Sequence, residues 1–95
     1  MLEIDESKLG SEFIKALEEI IKVRENRCDQ YGNTYLKDDF LFLKYQVENK
    51  MKRLDLQLIR DNGIESFKNK ETALDSAIDA ANYAIFIVSK ILKDF

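Results

Sequence analysis

Four polar residues near the end of the chain recur at helical spacing. Glu71, Asp75, Asp79 and Asn82 are separated by 4, 4 and 3 residues, so on an α-helix they form one row within an arc of about 80 degrees. Carboxylates stacked four residues apart repel each other, so the row needs a compensating cation. Hard carboxylate oxygens suit Mg²⁺, which keeps several waters and bridges to phosphate oxygens. We therefore predict Mg²⁺ ligands at Glu71, Asp75 and Asp79.

A second stretch of the chain supplies cations that could serve the same row. Lys50 and Arg53 border an apolar helical stripe, and they would lie near the acidic row if the two helices pack side by side. In one interpretation they form interhelical ion pairs with Asp75 and Asp79, which fix the register of a small bundle. In the other they neutralise phosphates of a ligand, with arginine suited to bidentate contact. Both interpretations stay open at this point.

The elements that position these residues are predicted from glycines and apolar periodicity. The chain has 95 residues, no proline and three glycines, Gly10, Gly32 and Gly63, and apolar residues between the glycines recur every three or four positions. This pattern predicts helices at 11–31, 38–62 and 72–94, joined by a polar connection at 63–71. Ser11 and Thr72 are the expected N-caps, and Gly32 and Gly63 the expected C-terminal stops. The fold class is all-α, in a single helical domain over residues 1–95.

The third predicted helix has more apolar surface than one neighbouring helix can cover. It carries no charged residue from Ala80 to Val88. One apolar stripe consists of Leu74, Ile78, Ala81, Ile85 and Val88. A second stripe, predicted to face roughly the opposite way, consists of Ala77, Ala80, Ala84, Ile87 and Ile91. Because three helices of this size leave one face uncovered, we expect a homo-oligomeric helical bundle, either a dimer or a tetramer.

Composition excludes several classes of function. The formal net charge is -3 and the pI about 5.0, which argues against polynucleotide and anionic membrane partners. The absence of histidine and the single Cys28 exclude ordinary zinc, haem and iron–sulfur ligation, so a metal must bind oxygens. The chain begins MLEIDESK and contains no apolar stretch of 18 residues. We therefore expect a cytoplasmic protein without a membrane partner.

Three segments together carry a resemblance to a known family. They are DQYG, with Asp29, Tyr31 and Gly32; NKMKR, with Lys50 and Arg53; and ETALDSAIDAANYA. Over roughly residues 20 to 90 the pattern resembles the nucleotide modification associated domain 1 family, small phage and bacterial helical proteins. More distantly it is similar to the all-α nucleotide pyrophosphohydrolases of the MazG type. The resemblance implies an oligomeric helical bundle that acts on or holds nucleotides, with Mg²⁺ on acidic residues where it is catalytic.

The resemblance also assigns residues, and it leaves three functions open. Ligand-binding residues are expected at Tyr31, Lys50, Arg53, Asn82 and Tyr83, with Tyr31 stacking on a base. MazG-type enzymes pair an E-x-x-E with an E-x-x-D, whereas here the first element is missing. The chain is therefore a nucleoside triphosphate pyrophosphohydrolase, a non-catalytic oligomer that sequesters a nucleotide or nucleotide signal, or a helical interaction module without a small ligand. Whether it is an enzyme stays undecided on sequence grounds.

Overall fold

The computed structural model describes residues 3–60 and 70–95, apart from the side chains of Tyr31, Ile59 and Arg60. These residues form α1 (Glu6–Leu9), α2 (Ser11–Tyr31), a 3₁₀ turn (Thr34–Lys37), α3 (Phe40–Arg60) and α4 (Lys70–Asp94). No strand occurs within the described ranges, so the predicted all-α class is confirmed. The three predicted helices are present, whereas α1 and the 3₁₀ turn were not predicted. The expected stop at Gly63 lies outside the described residues.

The chain divides into two compact units, Met1–Gly32 and Asn33–Phe95, called here the N-terminal and C-terminal units. Each unit is described by itself. The expectation of a single domain over residues 1–95 stays a prediction. Among the described helices none is both long enough and apolar enough to cross a bilayer.

Glycines begin and end the main helix of the N-terminal unit. Gly10 has φ 86° and is the N-cap of α2, which has no side-chain cap, so the expected capping by Ser11 is wrong. Ser11 is instead the first residue of the helix. At the other end Gly32 has φ 59°, and its amide donates to the carbonyl of Cys28 at 2.9 Å. α2 ends at Tyr31 with Gly32 as its C-cap, so the predicted stop is confirmed. A residue with a Cβ would be strained at this positive φ.

The C-terminal unit consists of the 3₁₀ turn and the α3–α4 hairpin. α3 is capped by Asp39, whose Oδ1 accepts a hydrogen bond from the amide of Phe42 at 2.7 Å. This start is close to the predicted one at Asp38. α4 begins at Lys70, so Thr72 lies inside the first turn and its predicted role as N-cap is wrong. α4 begins two residues earlier than its apolar periodicity suggests because polar Lys70 and Glu71 are themselves good helix formers.

The two long helices pack against each other along their length. Leu43 of α3 is fully buried, and Ala73, Ile78 and Ala80 of α4 are at most 7% exposed. The 3₁₀ turn lies on α4, where the hydroxyl of Tyr35 is 2.9 Å from Ser89 Oγ. Lys90 Nζ donates a hydrogen bond to the carbonyl of Asp38.

α4 buries polar side chains and exposes apolar ones. Leu74, Ile85, Val88 and Ile91 are 44–55% exposed, whereas the buried polar residues, at most 9% exposed, are Ser76, Asp79, Asn82 and Lys90. The two predicted apolar stripes do not face opposite ways, because on the helical wheel their centres lie only about 100 degrees apart. They merge into one broad apolar sector, most of which faces solvent in the single chain.

Candidate functional site

Lys50 lies in the middle of the face that α3 packs on its neighbour. Leu43 is buried, and Val47, Lys50 and Leu54 are half-buried, at spacings of 4, 3 and 4 residues. These four side chains therefore form a single row along the helix. The row is apolar except for the Lys50 ammonium, which interrupts it near its centre.

Arg53 lies at the edge of that face and is exposed. It is one turn further along α3 than Lys50, so the two cations are neighbours on the helix surface. Arg53 therefore borders the apolar stripe as expected, whereas Lys50 lies within it.

The acidic row of α4 runs from solvent into the interior. Glu71 and Asp75 are exposed, whereas Asp79 is 9% and Asn82 4% exposed. The Oδ1 oxygen of Asp79 is enclosed by protein atoms. Only the second half of the predicted row is therefore inside the protein.

Asn82 is fixed within the row by its own helix. Its Nδ2 donates a hydrogen bond to the carbonyl of Ile78, one turn earlier, at 3.3 Å. This contact orients the amide plane, so the group that a ligand could meet is held in one position.

Acidic residues do not gather into a metal cluster within residues 3–60 and 70–95. No group of three or more His, Cys, Asp or Glu side chains is placed there to hold an ion. The predicted triad of Glu71, Asp75 and Asp79 is thus not assembled by these residues alone. Mg²⁺ ordinarily binds one or two carboxylates and completes its shell with waters and substrate phosphates. Asp79 with Asp75, one turn away, fits that smaller donor set.

One interpretation of the acidic row was an ion pair between α3 and α4. Among the described residues, this pair is not formed at Asp75, the exposed one of the two aspartates. In the part of the chain that the structure describes, Asp75 forms no ion pair with Lys50 or Arg53; the ion pairs there are local, such as Lys44 with Glu48 at 3.2 Å. Local surface pairs of this kind contribute little to stability. The packing of α3 on α4 is therefore not held by a salt bridge at Asp75.

The two tyrosines proposed for the ligand site have different surroundings. Tyr83 is half-buried, and its ring meets Phe86 edge-to-face with centroids 5.7 Å apart. It is thus part of an aromatic cluster on α4. Tyr31 is the last residue of α2 in the N-terminal unit, and its side chain lies outside the described residues.

Two buried polar residues were missed by reasoning from the sequence. Ser76 is 2% exposed and lies one turn before the Asp79 position, but a lone serine inside an alanine-rich helix gives no distinctive signal. Lys90 is 7% exposed, and its ammonium is 5.1 Å from the centroid of the Phe40 ring. A lysine near a helix C-terminus ordinarily indicates a solvated position, so the sequence does not indicate that Lys90 is buried.

An open depression of about 270 Å³ lies between the two helices near the start of α4, with walls formed by Leu54, Lys70, Ala73, Leu74 and Ala77. Its walls are apolar apart from Lys70. Its α4 residues lie on a different side of the helix from the acidic row, so the depression is not part of that row.

No family model, no curated protein and no solved structure matches the chain. The resemblance to MazG-type proteins stays a prediction.

Proposed function

We propose that this chain is a nucleotide-binding helical protein of the MazG-like type, with its site on the α3–α4 hairpin. One observation carries the proposal: α4 buries Ser76, Asp79 and Asn82 in a unit of only two long helices. Burying polar groups in so small a core is costly compared with apolar side chains of similar size. Polar groups that converge between packed helices are typical of a ligand site in helical proteins.

The cations of α3 would bind the phosphates. Lys50 is half-buried among apolar side chains, where charge–charge attraction is stronger than in bulk water. Arg53 is exposed and adjacent, so its guanidinium can turn toward the same phosphate group and contact it through two parallel hydrogen bonds. Together they offset the negative charge that the acidic row of α4 would otherwise present to a nucleotide.

The base and ribose would be read by α4. The amide of Asn82 both donates and accepts hydrogen bonds, and its anchorage to Ile78 keeps it oriented before a ligand arrives. Tyr83 adds a ring and a hydroxyl one residue further along the helix.

Mg²⁺ would bind at Asp79 and Asp75 and neutralise phosphate charge. Hydrolysis to a nucleoside monophosphate and pyrophosphate is the second candidate, because a carboxylate of the acidic row could accept the proton of a water that attacks the α-phosphorus. Water would form the new P–O bond, and pyrophosphate would leave with the electron pair of the bond that breaks. Sequestration without hydrolysis requires the same contacts and no such water.

The decisive experiment measures thermal unfolding with each common nucleoside triphosphate, with and without Mg²⁺. Saturating ligand at about 100 times its Kd stabilises the folded state by about 2.7 kcal/mol, which raises the Tm by many degrees for a chain of this size. Lys50→Ala should remove the shift. Lys52→Ala is the matched control, because Lys52 is exposed and lies on the opposite side of α3, so it should keep the shift.

Pyrophosphate release in the same samples separates the two candidates. Release that is lost in Asp79→Asn identifies a hydrolase, and a nucleotide-dependent Tm shift without release identifies a sequestering protein. The proposal is wrong if no nucleotide raises the Tm and none is hydrolysed, or if the Lys50 and Lys52 variants respond alike.

A further inference from the structure

Two contacts between α3 and α4 fix which of their residues lie at the same level of the hairpin. Near the start of α3, the Phe40 ring meets the ammonium of Lys90. Near its end, Leu54 borders the apolar depression whose other walls are the first turns of α4. Because both helices rise by the same amount per residue, Lys50 lies within about one turn of Asp79 along the hairpin axis.

Tyr83 lies beside the buried polar residues at this level. It follows Asn82 directly and is four residues beyond Asp79, so it is within about 40 degrees of Asp79 around the helix axis. Asp79 and Asn82 are at most 9% exposed, whereas Tyr83 is half-buried. A ligand that contacts the buried pair therefore has the partly exposed Tyr83 ring beside it.

Phe86 joins Tyr83 to the 3₁₀ turn. The Tyr83 ring meets Phe86 edge-to-face, with centroids 5.7 Å apart and planes at 81°. Tyr35 of the turn stacks on the same ring with centroids 4.2 Å apart, and the Tyr35 hydroxyl lies 2.9 Å from Ser89 Oγ. Phe86 is thus restrained by residues that do not belong to the proposed ligand set.

We propose that Phe86 is a positioning residue for the nucleotide site, where it holds the Tyr83 ring in one orientation beside Asn82 and Asp79. This role rests on the proposed function. A tyrosine ring turns about two side-chain bonds, and an edge-to-face contact with a restrained ring favours one of its orientations. A group that is oriented before the ligand arrives loses less conformational entropy on binding, so the affinity is higher.

The competing explanation is that the three rings stabilise the fold and do nothing for the ligand. Loss of the Phe86 ring would then lower the free energy of unfolding and leave the affinity of the folded protein unchanged. Affinity measured at a temperature where every variant is folded therefore distinguishes the two explanations.

Calorimetric titration measures this affinity. The probes are the α,β-imido analogues of ATP, GTP, CTP and UTP with Mg²⁺, which cannot release pyrophosphate at the bridged bond. Phe86→Tyr keeps the ring and should bind an analogue with the wild-type Kd, whereas Phe86→Leu loses the ring and should bind it about fivefold more weakly. Asp39→Ala is the control, because it removes the cap of α3 without touching the rings and should keep the wild-type Kd.

A double-mutant cycle tests whether Phe86 acts through Tyr83. In a Tyr83→Ala background, Phe86→Leu should cause no further loss of affinity, because the ring that it positions is already absent. If Phe86→Leu does not retain its helical circular dichroism, Phe86→Met takes its place, since methionine fills irregular space between side chains.

Each contrary result identifies which proposal is wrong. Equal Kd values for wild type and Phe86→Leu, or an equal loss of affinity in both backgrounds of the cycle, would overturn the positioning role and leave the nucleotide site standing. A loss in Asp39→Ala as large as that in Phe86→Leu would overturn the positioning role as well. If no analogue binds to the wild type, the proposed function is wrong and the positioning role fails with it.

Discussion

The ring of Tyr35 stacks on the ring of Phe86, with centroids 4.2 Å apart and planes 13° from parallel. The hydroxyl of the same tyrosine lies 2.9 Å from Ser89 Oγ, across 54 residues of sequence. One side chain thus joins the 3₁₀ turn to α4 through an apolar and a polar contact. Tyr83 makes an edge-to-face contact with the same Phe86 ring, so the three rings form one cluster.

Two substitutions of Tyr35 should separate these contributions. Tyr35→Phe keeps the stacked ring and loses the hydroxyl, so the free energy of unfolding should fall by about 1 kcal/mol. Tyr35→Ala also removes the ring and should cost about 3 kcal/mol. Urea unfolding followed by circular dichroism measures both. Equal losses for the two variants would mean that the ring contact contributes nothing.

Asp39 should stabilise α3 through its cap. Asp39→Ala removes the acceptor for the amide of Phe42, and we expect the free energy of unfolding to fall by about 1 kcal/mol. Asp55→Ala, at an exposed position inside the same helix, is the control and should be neutral or slightly stabilising because alanine is the better helix former. The cap has no role if both variants unfold at the same urea concentration.

Lys90 should stabilise the C-terminal unit although it is charged and buried. Lys90→Met keeps the length of the side chain but leaves the Asp38 carbonyl without this donor and removes the cation above the Phe40 ring. We expect a loss of about 1–2 kcal/mol in the free energy of unfolding. Lys93→Met is the control, since its side chain is 61% exposed, and it should change stability little. A more stable Lys90→Met variant would show that the free-energy cost of burying the ammonium exceeds the stabilisation from its contacts.

Asp79 and Glu71 should differ in their effect on Mg²⁺. Asp79→Asn keeps the side-chain volume and removes the charge, so the part of the nucleotide-dependent Tm shift that requires Mg²⁺ should disappear. Glu71→Gln, exposed at the start of α4, should retain most of that shift. If Asp79 serves only as a structural ion-pair partner, Asp79→Asn lowers the Tm without nucleotide and leaves the Mg²⁺ response unchanged.

Helix positions were largely predictable because the signals are local. The positive φ of Gly32 ends α2 where a glycine was expected to end it, and apolar periodicity located all three long helices. Caps were harder to predict. Ser11 is the first residue of α2 and Thr72 lies in the first turn of α4, so each is inside its helix and not at the N-cap position. A cap depends on which residue first leaves the helical conformation, and a difference of one or two residues changes its identity.

The spacing of the candidate site residues along α4 could be predicted from the sequence, but the burial of their side chains could not. Residues four apart must share a helix face, so the row containing Asp79 and Asn82 follows from sequence alone. Which side of α4 turns inward does not, because periodicity fixes angles only within one helix. The sequence predicted that both apolar stripes of α4 are covered, one of them by a second copy of the chain; in the single chain Val88 is 55% exposed, whereas the polar side chains of Asp79 and Lys90 are buried.

Attachment of the 3₁₀ turn to α4 also sets an order of events during synthesis. The residues that hold Tyr35, Asp38 and Phe40 lie in the last turns of α4, at Phe86, Ser89 and Lys90. A ribosome has therefore made almost the whole 33–95 segment before this turn can dock. Contacts so distant in sequence slow folding relative to the local formation of helices. We expect α3 to form helix early and its preceding turn to settle only with the final turns of α4, in one late step.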